Sequence, residues 1–304
     1  MAGSSVREVH VDAPMSEVVV RYRPSGMIAD IIFPRVMVKK ESDKFYIWNK
    51  GDLLRPVDDV RADGTPARLV DFASTTDSYL CVEHALKAAI TDRQRENADV
   101  QLNLETTKVQ GLAGLIDIAR ERRVLAVIAG GTVPTAAAQA VWDHATATKI
   151  ESDIDIAKEK VRAGTGGIAA NTIAIPAKVA TAMKKSGELR ELIKYTQPNL
   201  LVNGDLPPVL FGLKVAIGGL VYETAKKGQT QAYAQAWDET VLVAYVNPNP
   251  SVDSPSFGYS FNTRRQTRRW RDEEIAADMF EVQDVIVEKL VCVDAGATIT
   301  NCMT

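Results

Sequence analysis

Apolar and polar residues alternate along two stretches in the first third of the chain. Val36, Val38, Phe45 and Ile47 lie on one side of the first alternation, and a second apolar run follows at 69–82. A period of two in β-branched and aromatic residues is typical of strands, and the residues in between are rich in turn formers and in charges of both signs. We therefore predict a long two-stranded hairpin with a charged loop. Because an isolated hairpin is marginally stable in water, it must pack on another part of the protein or on another copy of it.

A helical period replaces the alternation after residue 98. Apolar side chains recur at helical spacing across 98–128, and Gly130 and Gly131 end the pattern. The stripe consists of Leu102, Val109, Leu112, Ile116 and Ala119, and the charged residues off it are Glu105, Lys108, Asp117 and Arg120. This segment is predicted to be the longest helix of the chain.

Helices and strands alternate from about residue 150 onward. A helix is predicted from Ser152, as its N-cap, to Gly164, with Ile154, Ala157 and Val161 on its apolar face. Further strands are predicted at 168–175, 215–221 and 241–246, further helices after Pro176 and around Leu189, and a short capped helix at 205–212.

The two ends of the chain depart from this pattern. Residues 1–35 contain three prolines, so they form an extended lead with little core of its own, which must lie across something else. Near the other end Phe257, Tyr259 and Phe261 alternate with polar residues, and 275–293 is strand-like.

Composition and charge exclude several classes of protein. The chain has 304 residues, with 36 basic against 39 acidic residues and a net charge of −3, which gives no reason to expect a dedicated nucleic-acid binder. Its length favours about two domains. Cys81, Cys292 and Cys302 are an odd number without a C-x-x-C spacing, so we predict reduced thiols. The sequence has no signal peptide and no apolar stretch long enough to span a membrane, which predicts a protein that works inside a cell.

Candidate catalytic histidines are few. His10 lies in the extended lead, where a surface histidine is expected. His84 follows Cys81 by three residues, which is compatible with a dyad or a metal pair, but two ligands do not make a site. His144 is not accompanied by a G-x-S-x-G nucleophile motif.

Two glycine clusters are predicted to be plain loops. The cluster at 163–167 lacks the Lys-Ser/Thr of a phosphate-binding loop, and the cluster at 129–132 lacks the third glycine of a dinucleotide turn. A nucleotide-binding turn at 124–132 stays open as an alternative. The sequence therefore predicts no catalytic, cofactor-binding or metal-binding residue.

Charged residues are concentrated instead in the hairpin and in an arginine-rich stretch. The arginines of 264–271 could bind phosphate, but three acids follow them directly, so salt-bridged contacts between subunits are favoured. The candidate subunit contacts are Lys39, Lys44, Lys50, Arg55, Asp58, Asp59, Arg61, Arg68, Arg264, Arg265, Arg268, Arg269, Arg271, Asp272, Glu273 and Glu274.

Short sequence words follow one another in a fixed order along nearly the whole chain. They stand at 11–16, 28–34 (IADIIFP), 44–46, 50–52, 152–158 (SDIDIAK), 193–196, 221–225, 228–230, 244–250, 254–259 and 269–274 (RWRDEE). The ordered series resembles the major capsid proteins of tailed bacteriophages, which have the Hong Kong 97-type fold. The resemblance implies an α+β fold with an N-terminal arm, an extended β-hairpin loop, a peripheral domain with a long spine helix, and an axial domain.

The resemblance also implies how these parts divide the chain. On this basis the arm covers 1–35, the hairpin loop 36–82, the peripheral domain 83–167 and the axial domain 168–250, and residues 251–304 return to the peripheral domain. Some relatives crosslink covalently through a Lys and an Asn. Lys39, Lys40, Lys44 and Lys50 lie in the hairpin, but no partner Asn or catalytic acid can be matched, so we do not expect crosslinking.

The implied function is structural, with no enzyme activity and no cofactor. The chain is expected to self-assemble, as hexamers and pentamers, into the icosahedral shell around the double-stranded DNA genome of a tailed phage, with weak non-specific DNA contact and no membrane partner. Because the arm word begins by Val11, a separate scaffolding protein is expected. A portal is expected as well, and a decoration protein is left open. The location implied is the virion capsid, assembled in the bacterial cytoplasm.

Two alternatives remain at this stage. The first is a cellular encapsulating shell of the same fold that holds an enzyme. The second is an α/β enzyme that uses the turn at 124–132 for a nucleotide.

Overall fold

The computed structural model describes residues 25–48, 50–61, 63–72, 74–97, 104–144, 148–196, 206–226, 228–251 and 255–303. The first 24 residues, with His10 and the word at 11–16, lie outside the described residues, as do Leu102 and Asp205.

The helices and strands follow in chain order. The helices are α1 (Ala29–Ile32), α2 (Lys50–Leu54), α3 (Asp92–Glu96), α4 (Leu104–Gly130), α5 (Ile150–Thr165), α6 (Ala177–Lys185) and α7 (Gly187–Thr196). The strands are β1 (Arg35–Met37), β2 (Ser42–Trp48), β3 (Ser74–Leu80), β4 (Val82–Thr91), β5 (Thr135–Ala137), β6 (Thr172–Pro176), β7 (Val209–Leu210), β8 (Leu213–Gly218), β9 (Val221–Glu223), β10 (Tyr233–Gln235), β11 (Val241–Ala244), β12 (Gly258–Asp272), β13 (Ala277–Leu290) and β14 (Gly296–Thr300).

A four-stranded sheet is built around the long hairpin of β12 and β13. Its order is β1-β12-β13-β4, with β1 parallel to β12 and the other pairs antiparallel. Tyr259 and Phe261 are fully buried, as their alternation predicts. The register shifts between Asn262 and Arg264, and β12 is mostly exposed beyond that bulge.

Helix α4 lies along this sheet and is, as predicted, the longest of the described helices. Its Leu112 and Ile116 pack against Val282 of β13. The prediction for two of its other residues is wrong, because Arg120 is buried and Ala119 is exposed. Residues four apart lie on one side of a helix, so Arg120 takes an inward position between Ile116 and Val124, which is also buried.

A six-stranded sheet in the order β5-β14-β11-β6-β8-β7 is covered on both faces. On one face Ile173, Val243 and Ile299 pack with α5 and α6. On the other face, small residues such as Ala174 of β6 pack with α1 and with Val124 of α4. All four residues of β11 are buried, which confirms the predicted central strand at 241–246.

The predicted apolar face of α5 is confirmed, but its predicted start is wrong. Ile154, Ala157 and Val161 are fully buried. The helix begins at Ile150 rather than after Ser152, because the Glu188 carboxylate accepts hydrogen bonds from the backbone N–H groups of Ile150 and Glu151, at 2.9 and 3.0 Å. An acceptor from α7 thus replaces the local cap.

The predicted short helix at 205–212 is wrong where the structure describes it. Val209 and Leu210 form strand β7, which pairs with β8 through a turn at Phe211 and Gly212. Both turn residues have positive φ, 50° and 79°, a conformation that a right-handed helix does not contain.

Two elements far apart in the chain complete the six-stranded layer. Helix α5 packs on the six-stranded sheet, and strand β14 pairs with β11 and β5 inside it. The predicted domain boundaries at 167 and 250 stay a prediction.

The described end of the N-terminal lead is part of the core. Ile28, Ala29, Ile32 and Phe33 are buried, and all four lie in α1 or directly next to it. They pack with Val124 of α4 and with Phe257, so this part of the lead lies across other elements, as predicted.

The predicted hairpin is confirmed as the antiparallel pair β2 and β3. Its register runs from Ser42 opposite Leu80 to Trp48 opposite Ser74. The second strand begins at Ser74 rather than at 69, and Leu69 is 94% exposed. Among the helices of the described ranges, none combines the length and the apolar character that crossing a membrane requires.

Candidate assembly surfaces

The base of the hairpin is anchored in its own subunit. Phe45 of β2 and Tyr79 of β3 are buried against Phe261 of β12, with ring centroids 5.8 and 4.6 Å from the Phe261 ring. Lys289 of β13 reaches from the same sheet to the Asp77 carboxylate, at 2.6 Å. The base therefore holds a fixed direction, while Lys39 and Lys44 near it are exposed to solvent.

The loop that the hairpin carries exposes apolar side chains. Between residues 57 and 72 five large hydrophobic residues are more than 40% exposed, namely Val57, Val60, Leu69, Val70 and Phe72. Single exposed hydrophobic residues are normal on a protein surface, but a concentration of them marks an interaction site. From the predicted segment 36–82, we restrict the name hairpin loop to the described residues 55–61 and 63–72.

Within the described residues, charged groups of the hairpin loop contact near neighbours in the sequence. Arg55 lies 3.7 Å from Asp52, and Asp58 accepts from the backbone N–H of Val60 at 3.2 Å. Arg61 donates to the carbonyl of Thr65. These contacts shape local turns. The charged ends of Asp59 and Arg68 are exposed as well, so the loop presents charges of both signs to solvent.

Lys50 differs from the other lysines of the hairpin. Its Nζ lies 3.3 Å from the carbonyl oxygen of Ala163, donates also to the carbonyl of Gly164, and lies 3.9 Å from the Asp294 carboxylate. Lys50 therefore contacts its own subunit, and the predicted contact with another copy stays a prediction.

The five candidate arginines of β12 are divided between the two faces of the sheet. Arg265 makes a bidentate ion pair with Asp117 of α4, at 2.8 and 3.0 Å. Arg269 contacts Glu105 and Asp278 at 3.2 and 3.0 Å. These two arginines point to the α4 side of the sheet, because alternate residues of a strand share a face.

Arg271 lies on the same side of the sheet, near the turn between β12 and β13. Both of its terminal nitrogens lie 2.6 Å from Asp92, and this hydrogen bonding raises the pKa of Arg271 and lowers that of Asp92. Hydrogen bonds from Arg95 and Arg269 likewise lower the pKa of Asp278. Arg265, Arg269 and Arg271 are therefore paired within the chain, and their contact with another copy stays a prediction.

Beyond the bulge after Asn262, the opposite face of β12 is mostly exposed. Arg264, Arg268 and Trp270 are exposed there. Arg268 stands in register with Glu281 of β13, which is in register with Lys87 of β4, so the face carries a row of alternating charge. We call this the outer face of the long sheet.

The acids that follow the arginines shape the turn between β12 and β13. Asp272 accepts from the backbone N–H of Glu274 at 3.1 Å, and Glu273 lies 3.4 Å from Arg271. Ala276 takes a positive φ of 45° where the chain reverses. These contacts are local, and Ile275 beside them is half exposed.

The glycine turn and His84, both considered for chemistry, lie in the described part of the chain. Gly130 is the last residue of α4 and Gly131 follows it, so the nucleotide turn at 124–132 is wrong, because such a turn joins a strand to a following helix. Burial and the nearby Arg123 lower the pKa of His84. Within the described residues, no group of three or more His, Cys, Asp or Glu side chains is arranged to hold a metal.

A buried charged pair on α4 was missed from the sequence. Glu121 is fully buried and accepts from the backbone N–H groups of Ile28 and Ala29, at 2.9 and 2.8 Å, and from the indole of Trp237 at 2.7 Å. Its neighbour Arg120 contacts Asp30 at 2.6 Å and the Phe33 carbonyl at 3.1 Å. The pair fixes α1 to α4. The available signal was the position of Arg120 in the row of Ile116 and Val124.

Comparison with known proteins places this geometry among capsid proteins. No protein-family model matches the chain. A curated relative, the major capsid protein of Burkholderia phage BcepMu, is 24% identical over 96% of both chains. A phage-related protein of Bordetella bronchiseptica RB50, known from its crystal structure, is 21% identical, with a TM-score of 0.67 over 95% of this chain and 97% of that one.

More distant structures give the same result. The capsid of cyanophage P-SCSP1u matches with a TM-score of 0.67 at 11% identity, over 98% of this chain and 94% of that chain. The chain has the Hong Kong 97-type capsid fold. The SrpI encapsulin of Synechococcus elongatus PCC 7942 matches with a TM-score of 0.56 at 9% identity, over 99% and 91% of the two chains. The predicted α+β capsid fold and the predicted resemblance to tailed-phage major capsid proteins are both confirmed.

Proposed function

We propose that this chain is a major capsid protein, which self-assembles into the icosahedral shell around the double-stranded DNA genome of a tailed phage. The observation that carries the proposal is the full-length similarity to a phage major capsid protein, with 24% identity over 96% of each chain. The role is structural and includes no catalytic step. The protein accordingly belongs to the virion capsid and assembles in the cytoplasm of the bacterial host.

The exposed surfaces support contacts between copies. The hairpin loop of one copy lies against an adjacent copy, where its five exposed hydrophobic residues lose contact with water. Mixed charges on the loop and on the outer face of the long sheet fix the register of such contacts. The copies form hexamers and pentamers, and the division into arm, hairpin loop, peripheral domain and axial domain belongs to this proposal.

Further partners complete the proposed assembly. A separate scaffolding protein directs the curvature of the shell, and a portal occupies one vertex. Packaged DNA is touched by weak, non-specific contacts, in keeping with the net charge of −3.

Electron microscopy and sedimentation of the purified chain test the proposal. Co-expression with the scaffolding protein of the same phage is expected to give megadalton shells of one diameter, and the chain alone is expected to give few of that size. A monomer or small oligomer under both conditions would overturn the proposal. Abundant shells of native size from the chain alone would overturn the need for a scaffold.

A cellular encapsulating shell is the second candidate, favoured by the fold match to the SrpI encapsulin. The identity of 9% with that protein is lower than the 24% with the phage protein. The contents of purified particles separate the two candidates, because a phage shell holds DNA and an encapsulating compartment holds a protein cargo.

A further inference from the structure

The glycine cluster at 163–167 has a structural role that the assembly surfaces do not explain. Helix α5 ends at Thr165, and Gly166 forms its C-cap with a left-handed φ of 75°. The backbone N–H of Gly167 donates to the Arg162 carbonyl at 2.8 Å, as in a helix end closed by glycine. The end of α5 is therefore a compact turn with little side-chain bulk.

Helix α2 of the hairpin lies directly on this turn. A Cβ atom added at Gly166 would collide with the Leu54 side chain, and one added at Gly164 would lie 2.9 Å from the carbonyl oxygen of Asp294. The glycines thus leave room for α2 on one side and for the short 3-10 helix Val293–Ala295 on the other.

Lys50 adds an electrostatic contact to this packing. Its Nζ reaches the carbonyls of Ala163 and Gly164 and lies 3.9 Å from the Asp294 carboxylate. The last carbonyls of a helix lack intrahelical partners and carry negative partial charge. The Lys50 ammonium donates hydrogen bonds to these carbonyls and also places a positive charge beside them.

We propose that this contact is a clamp that sets the direction of the hairpin loop, with Lys50 as a positioning residue for assembly. The α2 clamp consists of Lys50 and Leu54 on one side and Ala163, Gly164, Gly166 and Asp294 on the other. The hairpin is then held at two points, at the buried base around Phe45 and Tyr79 and at the α2 clamp. Only the residues beyond α2 are left to reach another copy.

The clamp has a consequence for shell geometry, and this part of the inference rests on the proposed function. If each free copy presents its loop at one angle, neighbouring copies meet at one geometry and the shells have one diameter. A released clamp lets the loop leave the subunit at several angles, which gives shells of mixed diameter.

Hydrogen exchange of the free subunit tests the clamp itself. Lys50→Met keeps the aliphatic stem and removes the charge. It is expected to make amide exchange in peptides covering 50–54 about threefold to tenfold faster, the range that loss of one hydrogen bond gives. Lys44→Met, at an exposed position of β2, is the matched control and leaves this exchange unchanged. Lys50→Arg, which keeps charge and donors, restores protection. Equal exchange in Lys50→Met and Lys44→Met, with no effect of Leu54→Ala either, would overturn the clamp.

Shell diameter, measured by electron microscopy after co-expression with the scaffold, tests the role in assembly. Lys50→Met is expected to give mixed diameters, and Lys50→Arg a single diameter. Shells of one diameter from Lys50→Met, despite its faster exchange, would overturn the assembly role and leave the proposed function intact. Absence of shells from the unmodified chain would count against the proposed function, and the exchange comparison would still decide whether the clamp exists.

Discussion

The hairpin loop and the α4 side of the long sheet are both rich in charge, but they use it differently. In the loop, Arg55 has a side chain 70% exposed and an acidic partner three residues away. On the sheet, Arg265 is 31% exposed and makes a bidentate pair with Asp117, 148 residues away in the chain. The α4 side of the sheet stabilises the subunit, and the hairpin loop is available to another copy.

A cluster of charges in a sequence therefore does not indicate by itself whether it stabilises the subunit or contacts another copy. Pairing in β12 is decided by strand register and by the position of α4, which bring the acids Glu105, Asp117 and Asp278 to one face. No such element faces the hairpin loop among the described residues. Changes in the two regions should therefore affect different measurements, the stability of the free subunit for one and the formation of shells for the other.

The largest effect is expected from Glu121→Ala on α4. The change leaves the N–H groups of Ile28, Ala29 and Trp237 without their acceptor in a buried site, so the free energy of unfolding should fall by about 3 to 5 kcal/mol. Urea unfolding followed by circular dichroism measures it. Glu159→Ala, at an exposed position of α5, is the control and should stay within about 0.5 kcal/mol. Equal stability of the two variants would contradict the anchoring role.

A smaller loss is expected from Arg265→Glu on the α4 side of β12. The new carboxylate would stand beside Asp117 and the buried Asp284, and such repulsion should cost about 1 to 3 kcal/mol. Arg264→Glu changes the adjacent residue on the exposed outer face and should cost less than about 0.5 kcal/mol. Thermal melts of the two variants compare the faces directly. A loss that is the same for both would show that the faces are not distinct.

Low pH should also weaken the ion pairs on the α4 side of the long sheet and so lower the stability of the subunit. Hydrogen bonds from Arg271 lower the pKa of Asp92, and those from Arg95 and Arg269 lower the pKa of Asp278, from an ordinary value of 3.8. A lowered folded-state pKa means that these ion pairs stabilise the subunit fully above the ordinary value and that the contribution is lost as the pH falls below it. Stability measured between about pH 5 and pH 3 should fall more steeply for the unmodified chain than for an Arg269→Ala, Arg271→Ala variant. Parallel curves would contradict this assignment.

The smallest effect on the free subunit, and the largest on the shell, is expected in the hairpin loop. Arg55→Glu, Arg61→Glu and Arg68→Glu, made singly and together, should leave the free energy of unfolding within about 0.5 kcal/mol, because these residues are exposed. Shell formation, followed by sedimentation, should be impaired. Normal shells from all of these variants would refute the role of the loop.

Local pattern was enough to predict the elements whose burial follows one period. The alternation of Phe45 and Ile47 predicted the hairpin, and the rows of Leu112 with Ile116 and of Ile154 with Val161 predicted α4 and α5. These elements rest on a single apolar face, so periodicity carries the information.

The errors arose where a distant residue decides the local structure. Glu188 from α7 starts α5 two residues before Ser152, and Arg120 is buried because Asp30 and the Phe33 carbonyl lie opposite it. The pairing of Arg265 likewise depends on an acid from another element. None of these partners is near in sequence, so local pattern could not identify them, although the row of Ile116 and Val124 indicated that Arg120 faces inward.

The position of β14 bears on when the subunit can fold. This strand follows every other described element in the chain, yet it lies between β11 and β5 inside the six-stranded sheet. During synthesis, β11 therefore keeps an unpaired edge until β14 has left the ribosome, and an open strand edge is prone to pair with other chains. The six-stranded sheet is thus completed only when synthesis of the described chain is nearly finished. A nascent copy therefore cannot join the proposed shell as a fully folded subunit before that point.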